Sequence, residues 1–190
     1  MPPAAFAAMK PAQMGQMPPA AFEAMKPTQL GAMPPTAFAS FKADQVDAMP
    51  PEAFAGMKTG QVAAMSATAI GSLSGAQVGA MPPTAFAAMK PAQLGALPPD
   101  ALAVMAPTQV GALPAAAFTA IKADQIDALP PEAFGAMKST QVGSLPPAAF
   151  GSLSSDQIGS MPVNAFTAIK PAQMAALEPE ALVDLSAQQV

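Results

Sequence analysis

Apolar side chains recur at the first, fifth, sixth, ninth and fourteenth positions of a 16-residue unit that starts at Met1 and repeats along the whole chain. MPPAAFAAMKPAQMGQ from Met1, MPPTAFAAMKPAQLGA from Met81 and LPPEAFGAMKSTQVGS from Leu129 are three of the copies. Neither the strict alternation of a half-buried strand nor the continuous stripe of a long helix has this spacing. Each unit divides into two related octads. The first runs Met or Leu, Pro-Pro, a variable residue, Ala, Phe and two small residues. The second runs Met, Leu or Ile, then Lys or Ser, often Pro, a variable residue, Gln, an aliphatic residue and two small residues. Eleven complete units cover 1–176, and a shorter, more polar twelfth covers 177–190, so the domain organisation is a single array over 1–190.

The prolines turn this pattern into helices. Pro3, Pro11, Pro19 and Pro27 suit the first helical position, where a missing N–H costs nothing and φ is already set. The residue before each proline is driven out of the α region, so every helix must stop before the next one. That leaves about six helical residues per octad, well below the 12 to 15 at which an isolated helix becomes marginal in water. Contacts between neighbours must therefore hold them. Where Lys is replaced, Ser74-Gly-Ala-Gln77, Ser154-Ser-Asp-Gln157 and Ser186-Ala-Gln-Gln189 match the S-x-x-Q capping box, with Ser as the N-cap and Gln as its third-position partner. Gln fills the thirteenth position of every copy, and capping accounts for that regularity without a ligand.

The predicted fold is all-α: an α-solenoid of twelve 16-residue helix-turn-helix repeats, each unit a layer stacked on the last. The alternative is a β-solenoid with 16-residue coils, which Ala, Met, Pro and Gln at the dominant positions disfavour. Ala5, Ala85 and Ala165 share a site where a larger side chain would collide with the adjacent helix. Phe6, Phe22, Phe54, Phe86, Phe134 and Phe150 give way to Ile70, Leu102 and Leu182 at the same position, as core residues do and ligand-stacking residues do not. Methionine offers soft thioether ligands to Cu(I), but Met17, Met49 and Met81 exchange with Leu97, Leu113 and Leu129, which is packing behaviour.

Composition narrows the chemistry. The chain has no Cys, His, Trp, Tyr or Arg, so thiolate nucleophiles, imidazole bases and the usual zinc ligands are missing. A net charge of −4 offers no counterion-release drive toward nucleic acid, and no apolar run approaches the roughly 20 residues of a membrane span. The reading is accordingly no nucleic acid, no membrane insertion, no cofactor, no metal and no catalysis. Lys10, Lys26, Lys42, Lys58, Lys90, Lys122, Lys138 and Lys170 all stand at the tenth position, which predicts a stripe along one edge of the array, a solvated edge rather than an anion-binding one. Asp44 and Asp47 recur as Asp124 and Asp127. Three residues apart, each pair shares a helix face, but a hydrolase would need a cleft to raise one carboxyl, and calcium would need more oxygen ligands than these segments hold.

Octads such as LSSDQIGS and LSAQQV resemble the Leu-Ser/Thr-Pro-x-Gln-Val-Ala-Ala short-helix repeat arrays of large secreted or surface proteins. The resemblance implies a solenoid and an extracellular or cell-surface address, and no activity. Solenoid ends stay apolar unless terminal repeats are polar. The last unit carries Glu178, Glu180, Asp184 and Gln188 and reads as partly capped; the first reads as an open layer exposing Met1, Phe6 and Met9. The expected function is a structural spacer or a filament subunit stacking end to end, the alternative a protein- or glycan-binding scaffold of a surface adhesin. Threonines fall at too many repeat positions for a flat ice-binding array. A longer period is also visible: Asp44 and Asp47 return as Asp124 and Asp127, and Ser74 as Ser154, five units later. Either a five-unit block was duplicated, or every fifth layer presents the same face and aligns the Asp pairs for lateral contact.

Overall fold

The computed structural model describes residues 1–183 and 185–189. These residues form 23 short helices and no strand; none of the helices exceeds six residues, and five are 3-10 in type. Their starts follow the prolines: Pro3–Ala7, Pro11–Met14, Pro19–Ala21 and Pro27–Ala32 open the chain, each with an extended residue before its proline. Short helices of this kind have almost every backbone group within one turn of an end, so their stability must come from what they touch.

What they touch is always the same distance away. Each helix packs on the helices that begin 24 residues before and after it: Pro3–Ala7 on Pro27–Ala32, that on Pro51–Gly56, that on Gly75–Ala80, and so to Pro171–Met174. A second column runs from Pro11–Met14 through Pro35–Phe38 to Pro179–Leu182, and a third from Pro19–Ala21 through Ala43–Asp47 to Val163–Phe166. The array is an all-α solenoid, as the octads predict, with a layer different from the expected 16-residue pair. One coil is three octads, and the molecule is a three-sided column. A coil of three against a sequence unit of two means that every Phe-bearing octad stacks on Gln-bearing octads and never on its own kind.

Five positions of the 16-residue unit supply the interior. Phe6, Phe22, Phe38 and their successors to Phe150, the aliphatic residues from Met14 to Ile158, and the Met, Leu or Ile residues at the corners form one continuous cluster. Ala at the fifth position is fully buried from Ala37 to Ala133, in keeping with the close packing its constancy implies. Phe41 stands at a corner position otherwise held by aliphatic residues and meets Phe22 and Phe38 edge-on, at ring separations of 5.4 and 5.2 Å. No glycine among the described residues has positive φ, so where a glycine is required it is for its small size. Gly31 and Gly56 mark the closest approach of two coils: a Cβ on Gly31 would stand 2.7 Å from the Gly56 carbonyl oxygen, and one on Gly56 would run into the carbonyl of Pro27.

The ends correct an expectation. Phe6 is buried, at 4% exposure, and Met9 is half-buried; of the three residues predicted to be bare, only Met1 is, at 68%. Bare apolar surface lies at the other end instead, on Met174 at 45% and Leu182 at 37%. The reason is the direction of packing: the sixth- and fourteenth-position side chains lean toward the following coil, so the first coil is covered and the last is not. Asp184, read as part of a polar cap, lies outside the described residues.

Candidate functional site

The Gln ladder is the most regular polar feature of the column. At each interior Gln, Oε1 accepts the N–H of the residue three positions earlier, as Lys42 N–H to Gln45 at 3.0 Å and Lys90 N–H to Gln93 at 2.8 Å. The Nε2 amide points away from its own helix. That of Gln93 donates to the carbonyls of Val62 and Met65 at 2.7 and 2.8 Å, and that of Gln141 to Val110 and Leu113 at 3.0 and 2.7 Å. These acceptors lie 31 and 28 residues back, at the corner where one helix of the coil beneath ends. The Val62 and Val110 carbonyls also take the N–H of Met65 and Leu113, each at 3.1 Å, so the Gln is a second donor to them. The Met65 and Leu113 carbonyls lie past the helix end, where intrahelical donors run out, and the Gln supplies one. From Gln45 to Gln173 these side chains are between 0% and 3% exposed. They are staples between coils as well as caps.

Capping alone could not have revealed the staple, because Glu caps as well as Gln does. The signal available was that Glu never stands at the thirteenth position in any copy. Only the amide carries two N–H donors. A 16-residue spacing on a 24-residue coil also distributes the staples: Gln45, Gln93, Gln141 and Gln189 share one corner, and each corner is stapled on every second coil.

The Ser caps divide. Ser74 accepts the Gln77 N–H at 3.3 Å and gives its own N–H to Gln77 Oε1 at 2.9 Å; Ser154 and Gln157 repeat this at 3.2 and 3.0 Å. Gln77 and Gln157 also staple, onto Val46 and Met49 and onto Ile126 and Leu129. At the last unit Ser186 departs from the box. Its hydroxyl donates to Gln189 Oε1 at 2.8 Å instead of accepting the Gln189 N–H, and the segment forms a turn. Where Lys is the N-cap only the Gln half of the box exists, since an ammonium accepts nothing.

The charged residues do not assemble into a site. Lys residues are exposed throughout, but the expected single stripe is overturned by the coil: Lys10 and Lys58 follow one edge, Lys26, Lys122 and Lys170 a second, and Lys42, Lys90 and Lys138 the third. Asp44, Asp47, Asp124 and Asp127 are exposed. Ten octads separate the pairs, three coils and one octad more, so they lie on different sides and the aligned-face account of the five-unit period fails. Of the two accounts, block duplication is the one left. No group of three acidic residues among the described residues is placed to hold a metal ion, and no helix there is long and apolar enough to cross a membrane. A shallow groove of about 410 Å3 lies over Pro27, Gly31 and Gly56, with Lys58 as its one charged wall and Thr28 as its one hydroxyl; no carboxylate lines it.

The two end coils hold the polar groups that the interior does not leave over. Gln29 Nε2 reaches only the Met1 carbonyl, at 2.6 Å. Gln13 keeps the Lys10 N–H at 2.8 Å and is exposed, its amide with no protein partner among the described residues. At the opposite edge the carbonyls of Met174 and Leu177, counterparts of those each interior Gln holds, receive no Gln. Comparison with models of protein families and with curated proteins gives no match for this chain.

Proposed function

We propose that this protein is a non-catalytic structural element, a solenoid that serves as a rigid spacer or filament subunit by stacking end to end. The observation that carries the reading is the contrast at the fourteenth position: from Met14 to Ile158 no residue there is more than 2% exposed, and Met174 is 45% exposed. The last coil thus presents the surface on which every other coil bears another. Absence of Cys and His and the scattered placement of the acids support the non-catalytic half of the proposal. An extracellular or surface address is supported only by the resemblance of the octads to those of secreted arrays.

Light scattering and electron microscopy across a concentration series test it. Growth of particles along one axis, at constant width, is the expected result. A chain that stays monomeric and monodisperse at every concentration overturns the end-to-end reading.

A further inference from the structure

Resting on that reading, we propose that two copies of this chain join head to tail in a single register, the first coil of one laid on the last coil of its neighbour as the next turn of the same spiral. The register follows from the repeat. The twelfth unit holds fourteen residues, so a second copy continues the array when its Met1 stands three positions beyond Val190. On the 24-residue interval, its Pro3–Ala7 then covers Pro171–Met174, and its Pro11–Met14 covers Pro179–Leu182, the helices that carry the bare Met174 and Leu182.

The polar groups fall into place in that same register. The Gln13 amide, reaching back as every interior Gln does, meets the carbonyls of Met174 and Leu177 of the neighbour. Lys10 of one copy stands one coil above Glu178 of the other, both exposed. Charge enforces the direction. Residues 1–95 hold five Lys against four acids, and residues 96–190 three Lys against eight. Joining two first coils would oppose Lys10 to Lys10 and donor to donor, and joining two last coils would oppose Glu178 to Glu178 and carbonyl to carbonyl. Only the heterologous joint pairs opposites, and such joints propagate instead of closing into a dimer.

Gln13→Glu isolates the joint, because Glu keeps the cap on the Lys10 N–H and removes both amide donors at an exposed position. Association measured by sedimentation should weaken at least about a hundredfold, because the joint would bury a carboxylate against two carbonyls, with the melting curve of the monomer unchanged. The chain has no Cys, so Lys10→Cys and Glu178→Cys can be mixed under oxidation: disulfide between the two variants is expected, and none within either alone. Lys10→Glu should weaken association, and Glu178→Lys in the same chain should restore it. A chain that associates but shrugs off Gln13→Glu, or that crosslinks Lys10→Cys to itself, overturns the register and leaves end-to-end stacking standing. A chain that never associates overturns both.

Discussion

The Phe-bearing and Gln-bearing octads occupy equivalent places in the column and solve the same packing problem with opposite chemistry. At the fifth and sixth octad positions one has Ala85 and Phe86, the other Gln93 and Val or Leu such as Leu94; all four side chains are at most 2% exposed. In the first kind the volume goes to the central core, and the small Ala leaves the corner to its backbone. In the second the core residue is smaller, and a polar side chain is spent on fastening the coil below. Because a coil is three octads and the unit two, the kinds alternate up each side, so every corner is fastened on alternate coils. The comparison teaches that the octad is the structural unit, and that 16 residues is the interval of chemical alternation imposed on it.

The sharpest way to break the comparison is to keep the cap and reverse the staple. Gln93→Glu should retain the Lys90 N–H bond and set a carboxylate against the carbonyls of Val62 and Met65, at a cost of about 3 to 5 kcal/mol for an uncompensated buried charge. Burial raises the pKa of such a carboxyl in the folded state. Its protonated form is tolerated, so the deficit should be small at pH values below about 4.3, the unfolded value for Glu, and should grow as pH rises toward the raised folded value. Denaturant titrations of variant and parent at several pH values read this directly; a deficit independent of pH would mean that the amide donors are not what holds the corner.

The Phe-bearing octad should fail differently. Ala85→Leu inserts volume where no space exists and is expected to cost about 1 to 3 kcal/mol, without pH dependence, whereas the parent Ala contributes no bond to lose. A thermal melt distinguishes the two, and a silent Ala85→Leu would show that the fifth position of this octad is looser than its burial implies. The smallest expected effect is a gain. Gly79 lies in a helix, and a Cβ added to it would meet nothing within 4 Å, so Gly79→Ala should stabilise by about 0.5 to 1 kcal/mol through helix propensity. Gly56→Ala, which meets the Pro27 backbone, should destabilise; equal outcomes at the two glycines would contradict the close approach of those coils.

Much of this was legible in the residues. Helix starts at Pro3, Pro11 and Pro27 follow from what proline does to its own φ and to the residue before it, and the core at Phe6 and Met14 follows from apolar recurrence. The coil did not follow, for a definite reason: nothing in a sequence of period two announces a stacking interval of three, because that interval depends on the angle through which the chain turns at corners such as Met17 and Met33. The Lys edges and the Asp pairs were misplaced by the same omission. The open end was misassigned because sequence position does not tell which way Phe6 and Met174 lean. Gln93 was half legible, its oxygen through the capping box and its amide only through the absence of Glu.

The relation of two against three has a consequence for how such a chain can change length. Removing or adding a whole 16-residue unit leaves the alternation of octads intact across the splice, and turns everything beyond it by one side of the column. Loss of a single octad would instead set Phe on Phe and Gln on Gln throughout the coil that spans the break, and bring the wrong corner beneath each staple. Copy-number change in steps of two octads is therefore nearly silent for folding, and change in odd steps is not. The five-unit block that joins Asp44 to Asp124 obeys this parity rule, so recombination could enlarge the array without any core residue having to adapt.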